Sequence, residues 1–219
     1  LSYNYETSVN APDLTDYHVL NATDKLNYEK LAGLYNALGN TGYTQEQLDA
    51  EYFNRLKNVA SLVDTYWLSQ ALRNAYRQKH AAYVQGGDEK FRYGLDLRYE
   101  TTPGVMLGSN RDRYSGGMSF TYNPSRKLIF RNEVTVTQAN GNNSPYGDFS
   151  TYVRMNPYYP IRNQNGDIVQ ELANWRVDTR QEGPDQIQTR YVFNPLFEGT
   201  LASFDKSSML EIIDAFSVD

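Results

Sequence analysis

The sequence predicts an all-β fold with helical loop insertions, in which about six strands form a fragment of a transmembrane antiparallel β-barrel. Three observations support this prediction. Several strands alternate between apolar and polar residues, the apolar faces carry aromatic rings at both ends, and the chain has no long apolar run. The mean hydropathy of the 219 residues is −0.67. A barrel is compatible with this value because every second residue of a strand faces an aqueous lumen.

The segment 91–99 shows the alternation most clearly. Its apolar positions are Phe91, Tyr93, Leu95, Leu97 and Tyr99, and its charged positions are Arg92, Asp96 and Arg98. Successive side chains of a strand point to opposite faces of the sheet. We therefore expect the apolar set to contact lipid, with rings at the headgroup boundaries, and the charged set to face the lumen.

Neighbouring segments repeat this pattern. The predicted lipid-facing residues there are Tyr114, Met118, Phe120 and Tyr122, and the predicted lumen-facing residues are Arg131 and Glu133. Asn132 is a polar exception on the apolar side. Tyr3, Tyr5 and Val9 alternate in a first strand, and a sixth strand is expected near 210–218. The same alternation also fits a soluble β-sandwich with one wet face, which stays open as the alternative.

The connections predict how the strands are arranged. Short hairpin turns are expected at 85–90 and 124–127, whereas the opposite ends carry connections of about 70, about 14 and about 70 residues. Outer-membrane barrels have short periplasmic turns and longer extracellular loops. The chain is therefore predicted to consist of four parts. They are a helical extracellular loop at 10–78, strand hairpins at 79–138, a long extracellular loop at 139–208 and the start of the next strand at 209–219.

The long loops contain local structure of their own. Thr44-Gln45-Glu46-Gln47 is a capping box, followed by apolar residues at helical spacing as far as Val63. An earlier helix is expected from about Thr23 to Leu38, with a stop at Gly39-Asn40 and an apolar face formed by Tyr28, Leu31, Leu34 or Tyr35, and Leu38. The apolar stripes are interpreted as packing faces. Asn165-Gly166, between 158–162 and 168–172, predicts a small hairpin.

Aromatic residues of the loops are the candidate contacts for a substrate or a lid protein. They are Trp67, Tyr146, Tyr158, Tyr159 and Trp175. Such rings either stack on a ligand or anchor a loop by packing, and for Trp67 the anchor is favoured. For Tyr158, Tyr159 and Trp175 the two interpretations stay open.

Nothing in the sequence predicts catalysis, a metal site or a cofactor. Cysteine is absent, and the two histidines, His18 and His80, are far apart in the chain. Asp112 between Arg111 and Arg113 is interpreted as a solvated loop network. The net charge of −5 argues against a nucleic-acid partner. Three classes of function remain: an active transporter, a passive porin or adhesin-like barrel, and a soluble carbohydrate-binding module.

Five sequence blocks in order resemble one known family, the SusC/RagA family of TonB-dependent outer-membrane transporters of Bacteroidetes. The blocks are NAPDLTDY at 10–17, VDTYWLSQ at 63–70, YVQGGDEKFRY at 83–93, PGVMLGS at 103–109 and NPYYP at 156–160. The resemblance extends over nearly the whole chain. The sequence departs from it where Leu62 and Ala71 replace an expected Gly and Pro, and where Leu107 replaces an expected Lys.

The resemblance implies a 22-stranded barrel with a plug inside, of which this chain is the first part of the wall, without the plug. It also implies uptake of glycans or peptides together with a SusD-like surface lipoprotein, energised by TonB through the plug. Outer-membrane lipid would surround the wall. Because about six strands leave two open edges and an apolar band, we expect that these residues do not fold as an autonomous domain.

Overall fold

The computed structural model describes residues 1–39, 43–178, 187–201 and 203–219. The strands are β1 (Ser2–Asn10), β2 (Ala75–Gly87), β3 (Phe91–Pro103), β4 (Asn110–Ser125), β5 (Leu128–Asn142), β6 (Glu171–Asp178), β7 (Ile187–Phe193) and β8 (Lys206–Val218). The α-helices are α1 (Ala22–Leu31), α2 (Gln45–Ala60) and α3 (Phe149–Val153), and short 3₁₀ helices lie at Ala37–Gly39, Trp67–Ser69 and Glu198–Thr200. Among the described residues, no helix is both long and apolar enough to cross a membrane.

Six strands form one antiparallel open sheet in the order β1-β2-β3-β4-β5-β8, and β6 pairs with β7 in a separate two-stranded sheet. The predicted six strands and their antiparallel pairing are confirmed. The chain divides into two compact units. The strand unit comprises Leu1–Pro12, Leu72–Pro145 and Phe204–Asp219, and the loop unit comprises Asp13–Ala71 and Tyr146–Ser203.

The two predicted hairpin turns are tight. In the β2–β3 turn the Asp88 carboxylate accepts hydrogen bonds from the backbone N–H groups of Lys90 and Phe91, both at 2.8 Å. The β4–β5 turn is reduced to two residues beyond Ser125. The expected connection of about 14 residues after Tyr99 is wrong, because β3 continues to Pro103 and β4 already begins at Asn110.

The first helix is shorter than predicted. It ends at Leu31 rather than near Leu38, because Gly33 adopts a left-handed conformation with φ of +78°. The N–H of Gly33 bonds to the Lys30 carbonyl at 3.1 Å, and the N–H of Leu34 bonds to the Glu29 carbonyl at 3.1 Å. These two bonds form a Schellman motif, which stops a helix.

The apolar face predicted for this helix is also wrong. Tyr28, Leu31, Leu34 and Leu38 are exposed, the alternative member Tyr35 is half-buried, and the buried residues of α1 are Ala22, Leu26 and Glu29. Past Leu31 the chain no longer follows the helical repeat, so Leu34 and Leu38 do not continue the face on which the prediction placed them.

The second helix begins as predicted and ends on an unusual residue. The Thr44 capping box is present, with both of its reciprocal hydrogen bonds. At the other end Leu62 has φ of +62°, with its N–H bonded to Val59 and the next N–H bonded to Asn58. This is a second Schellman motif, in which a leucine occupies the position that favours glycine. It is the same position at which the family resemblance leads one to expect glycine.

The predicted hairpin around Asn165-Gly166 is wrong. A turn forms there, since Asn163 accepts N–H bonds from Asn165 and Asp167 through its side chain. However, 158–162 and 168–170 are not strands. The loop unit instead contains the antiparallel pair β6–β7, whose register runs from Glu171 opposite Phe193 to Asp178 opposite Ile187.

Candidate functional site

The six-stranded sheet has one apolar face, and the strand register defines it. Phe91 lies opposite Tyr122, Leu95 opposite Met118, and Tyr99 opposite Tyr114. The remaining predicted members of this face, Tyr93 and Phe120, lie opposite each other, and Leu97 lies opposite Gly116. The nine residues predicted to contact lipid therefore lie on one face of adjacent strands. We call this face, with its continuation on the other four strands of the sheet, the apolar face.

Aromatic rings lie in two rows across the apolar face. Near the hairpin turns, the Phe91 and Phe120 ring centroids are 6.2 Å apart, and those of Tyr122 and Phe130 are 6.4 Å apart. We call this the turn-end row.

The second row lies towards the other strand ends. It runs from Tyr5 to His80 at 4.8 Å, from His80 to Tyr99 at 6.1 Å, and from Tyr99 to Tyr114 at 5.0 Å. Along β3, Tyr99 lies eight positions after Phe91, which corresponds to roughly 26 Å of strand. The middle of the band is aliphatic, with Leu95, Leu97, Met118, Val134 and Val136.

The aliphatic band is not packed against protein in this chain. Leu95, Leu97 and Met118 are 40%, 55% and 43% exposed. In a β-sandwich the inward-facing side chains of one sheet interdigitate with those of the other and are buried. Leu95, Leu97 and Met118 are exposed instead, so the described residues do not form a β-sandwich around them. The apolar face therefore lacks a packing partner in the described part of the chain.

Two polar side chains interrupt the apolar face near its β8 edge. The Asn132 amide donates a hydrogen bond to the Asp214 carboxylate at 2.6 Å. Asn132 lies opposite Phe216, and Asp214 lies opposite Val134. Each polar group thus satisfies the other, which lowers the cost of placing both among apolar neighbours.

The opposite face of the sheet is polar and carries ion pairs. Arg77 contacts Glu100 at 2.7 Å and Glu6 at 3.5 Å, and Lys79 lies 3.8 Å from Glu6. We call it the polar face. Pairs of opposite charge on neighbouring strands contribute modestly to the stability of a sheet.

The residues predicted to face a lumen all belong to the polar face. Register places Arg92 and Arg131 on either side of Thr121, and Asp96 and Arg98 form an ion pair at 3.2 Å. Glu133 lies opposite Ser119 on the same face, and Arg131 is paired with Asp219. The Asp96 carboxylate lies over Gly117, where the Cβ of any other residue would meet it.

Three of the five loop aromatics predicted to contact a ligand are buried. Trp67, Tyr158 and Tyr159 are 3%, 0% and 3% exposed. The Trp67 indole N–H donates to the Asn156 carbonyl at 2.9 Å. Their burial favours the interpretation that these three rings anchor the loop unit by packing, and whether any of them contacts a substrate or a lid stays a prediction. For Trp67, the favoured interpretation as an anchor matches this position.

The other two predicted aromatics are Tyr146 and Trp175. Tyr146 is half-buried, and its ring lies over Gly199. Trp175 lies in β6, opposite Arg190, but its side chain is outside the described part of the structure. Whether either ring contacts a ligand stays a prediction.

The polar centre of the loop unit was missed by sequence reasoning. Glu29, in α1, is 3% exposed and accepts hydrogen bonds from Tyr35 at 2.6 Å, Arg55 at 3.1 Å and Tyr158 at 3.1 Å. Arg55 also contacts Glu51 at 2.7 Å. Burial raises the pKa of the Tyr35 and Tyr158 phenols well above the ordinary tyrosine value, so both remain neutral O–H donors.

This cluster fastens separate segments of the loop unit to one another. Glu29 belongs to α1, Arg55 to α2, and Tyr158 to the segment after α3. The local sequence signals for it were two i,i+4 spacings, Lys25 with Glu29 at 3.5 Å and Glu51 with Arg55 at 2.7 Å. The partner Tyr158 is 129 positions away from Glu29, beyond any local pattern.

The described part of the loop unit contains two sizeable cavities. One of about 500 Å³ lies beside α2 and is lined by Leu34, Tyr35, Tyr43, Gln47, Leu48, Ala50, Glu51, Asn54, Arg55 and Asn174. The other, of about 480 Å³, is lined mainly by 17–21, 64–68 and 152–157. Within the described ranges, no group of three His, Cys, Asp or Glu side chains could hold a metal ion.

Comparison with known proteins finds similarity among solved structures. No protein-family model matches the chain, and no curated protein sequence matches it. Among solved structures, the chain is similar to the RagAB peptide transporter, with a TM-score of 0.57 and 16% identity over 78% of the chain. The aligned part is 22% of that transporter chain, so this chain spans about a fifth of it. The likeness shows a shared fold for the aligned region.

Proposed function

We propose that this chain is part of the wall and the extracellular loops of an outer-membrane transporter, and that the transporter imports glycans, oligosaccharides or peptides. The observation that carries the proposal is the two-faced sheet. Its apolar face has rings in two rows with aliphatic residues between them, which is the distribution expected where a strand crosses a bilayer. Its fold is similar to part of a peptide transporter.

The rows match the dimensions of a membrane. Strands of such barrels are tilted by about 35–45°, so roughly 26 Å of strand corresponds to about 20 Å along the membrane normal. The apolar band of these barrels is about 25 Å tall. The turn-end row and the row from Tyr5 to Tyr114 would then lie near the two edges of the hydrocarbon.

The polar face would line the inside of the closed barrel. Missing strands would pair with β1 and β8, because unpaired backbone groups in hydrocarbon cost several kcal/mol each. A SusD-like lipoprotein as a lid and energy from TonB through a plug belong to the proposal by the family resemblance. Transport, rather than catalysis, is the proposed role.

Engineered protease sites in the full-length protein test membrane location and orientation together. One site is inserted after Asn165, in the exposed turn of the loop unit, and a matched site is inserted after Glu89, in the β2–β3 turn. Protease added to intact cells, after removal of any lid protein, should cut only the first site. Both sites should be cut once the outer membrane is permeabilised.

The other outcomes are equally informative. Cleavage at Glu89 alone would mean that the orientation is inverted. Recovery of the full-length protein in the soluble fraction would contradict the membrane proposal and support a soluble carbohydrate-binding module. Uptake of labelled oligosaccharides and peptides, with and without TonB, then identifies the substrate class and its energy source.

A further inference from the structure

Three cations lie at the turn end of the sheet, next to the turn-end row of rings. They are Lys90 in the β2–β3 turn and Arg126 and Lys127 in the β4–β5 turn. All three are exposed, and none forms a salt bridge in the described part of the chain. We call them the turn-end cations.

The two turns are tied together by hydrogen bonds. The Asn123 backbone N–H donates to the Lys90 carbonyl at 2.7 Å, and the Asn123 side-chain amide donates to the Glu89 carbonyl at 3.3 Å. These bonds hold the β2–β3 turn against the end of β4. The turn-end cations are therefore carried by one connected rim rather than by two independent loops.

The charge of this rim favours anions. The β4–β5 turn contains Arg126 and Lys127 and no acidic residue, whereas the β2–β3 turn contains Lys90 with Asp88 and Glu89. Hydrogen bonds from the Phe91 and Lys90 N–H groups lower the pKa of the Asp88 carboxyl, which is committed to shaping its turn. The two turns together carry three positive and two negative side chains, so the rim is net positive.

The rim lies within or just outside the position of a lipid headgroup layer that begins at the rings. Lys90 directly precedes Phe91, Lys127 precedes Phe130 by three residues, and Arg126 follows Tyr122 by four. At roughly 3.3 Å per residue, the cations lie within about 13 Å of strand beyond the rings. The polar layer outside the hydrocarbon is about 5–7 Å thick on each side, and Lys and Arg side chains reach back towards it.

We propose that the turn-end cations bind the phosphate groups of anionic phospholipids, whose acyl chains lie on the apolar face beyond Phe91, Tyr122 and Phe130. This inference rests on the proposed function, because it requires the apolar face to be in lipid. The complementarity is twofold: a positive rim for the phosphate and an aromatic and aliphatic surface, beginning at the rings, for the chains.

Lipid retention by the full-length transporter tests this inference. The protein is reconstituted in nanodiscs with equal amounts of phosphatidylglycerol and phosphatidylcholine, extracted in mild detergent and analysed by native mass spectrometry. The test variant is Lys90→Gln/Arg126→Gln/Lys127→Gln. The control variant is Lys57→Gln/Arg154→Gln/Arg190→Gln, which makes the same charge change at exposed positions of the loop unit.

The wild type and the control should retain phosphatidylglycerol in preference to phosphatidylcholine. The test variant should lose this preference by on the order of tenfold, since each cation close to an anionic lipid surface adds favourable energy. Inorganic phosphate added at millimolar concentration should leave the retention unchanged, because it has no acyl chain to bury on the apolar face.

Several results would overturn the inference. Unchanged lipid retention in the test variant would mean that the rim contacts something other than lipid, such as a periplasmic protein. Equal losses of lipid preference in the test and control variants would mean that only the net charge of the protein matters. Displacement of the lipid by inorganic phosphate would mean that the cations form a site for free anions. Insertion of all variants into nanodiscs keeps the proposed function intact in each case, whereas failure of the wild type to insert would contradict that function itself.

Discussion

The strand unit and the loop unit solve the problem of apolar side chains in different ways. Of the buried apolar residues in the described chain, all but Ala75 belong to the loop unit. That unit has a core of its own, formed around Trp67, Leu68, Tyr152 and Tyr158. The strand unit has a continuous backbone ladder, yet its large apolar side chains are exposed or half-buried. The loop unit thus buries part of its apolar side chains in a core of its own, whereas the apolar face of the strand unit lacks a packing partner in the described part of the chain.

The buried ionic cluster gives the largest expected difference between the two units. Arg55→Ala should destabilise the loop unit by about 3–5 kcal/mol, because Glu29 would stay buried without its main cationic partner. Hydrogen exchange of the full-length protein should show lost protection in α1 and α2 and unchanged protection in β3 and β4. The double variant Glu29→Gln/Arg55→Met serves as the control and should lose less. Equal losses in both units would mean that the two are not independently stabilised.

A charge on the apolar face should have the next largest effect. Met118→Arg should lower the free energy of unfolding of the vesicle-inserted, full-length protein by about 2–4 kcal/mol, since arginine at the bilayer midplane is costly. Ser119→Arg, one residue along β4 on the polar face, is the matched control. Its effect should be below about 1 kcal/mol. Urea titrations of both variants measure the difference, and similar losses would contradict the assignment of the faces.

The smallest effect concerns a strained backbone position in the loop unit. Leu62→Gly should raise the stability of that unit by about 1 kcal/mol, because a left-handed conformation costs an L-residue about 1–2 kcal/mol and glycine much less. The Leu62 side chain is 92% exposed, so little packing is lost. Hydrogen exchange at the end of α2 measures the gain. A decrease in protection there would show that the leucine side chain has a role in the complete protein.

The same contrast explains what the sequence could predict. In the strand unit each residue's face follows from the two-residue period, so the faces of β3, β4 and β5 could be assigned from local alternation. The capping box at Thr44 was also readable, because its hydrogen bonds join residues three positions apart. Local patterns were sufficient wherever the structure itself is local.

The loop unit could not be predicted in the same way. Burial of Tyr158 depends on Glu29 and Arg55, which belong to distant helices. The end of α1 at Leu31 depended on Gly33 in the sequence Ala32-Gly33, a Schellman signal that competed with an apparent apolar repeat. The Asn-Gly signal correctly marked a turn but not flanking strands, because strand pairing needs a partner that the turn alone does not supply.

Access of spin labels to lipid tests the central claim most directly. Single labels are placed at Leu95 and Asp96 of the full-length protein in vesicles, and collisions with a lipid-soluble quencher are compared with those of a water-soluble one. The account predicts that the label at Leu95 is reached mainly from lipid and the label at Asp96 mainly from water. Equal access of the two labels to the lipid-soluble quencher would contradict a membrane-spanning wall.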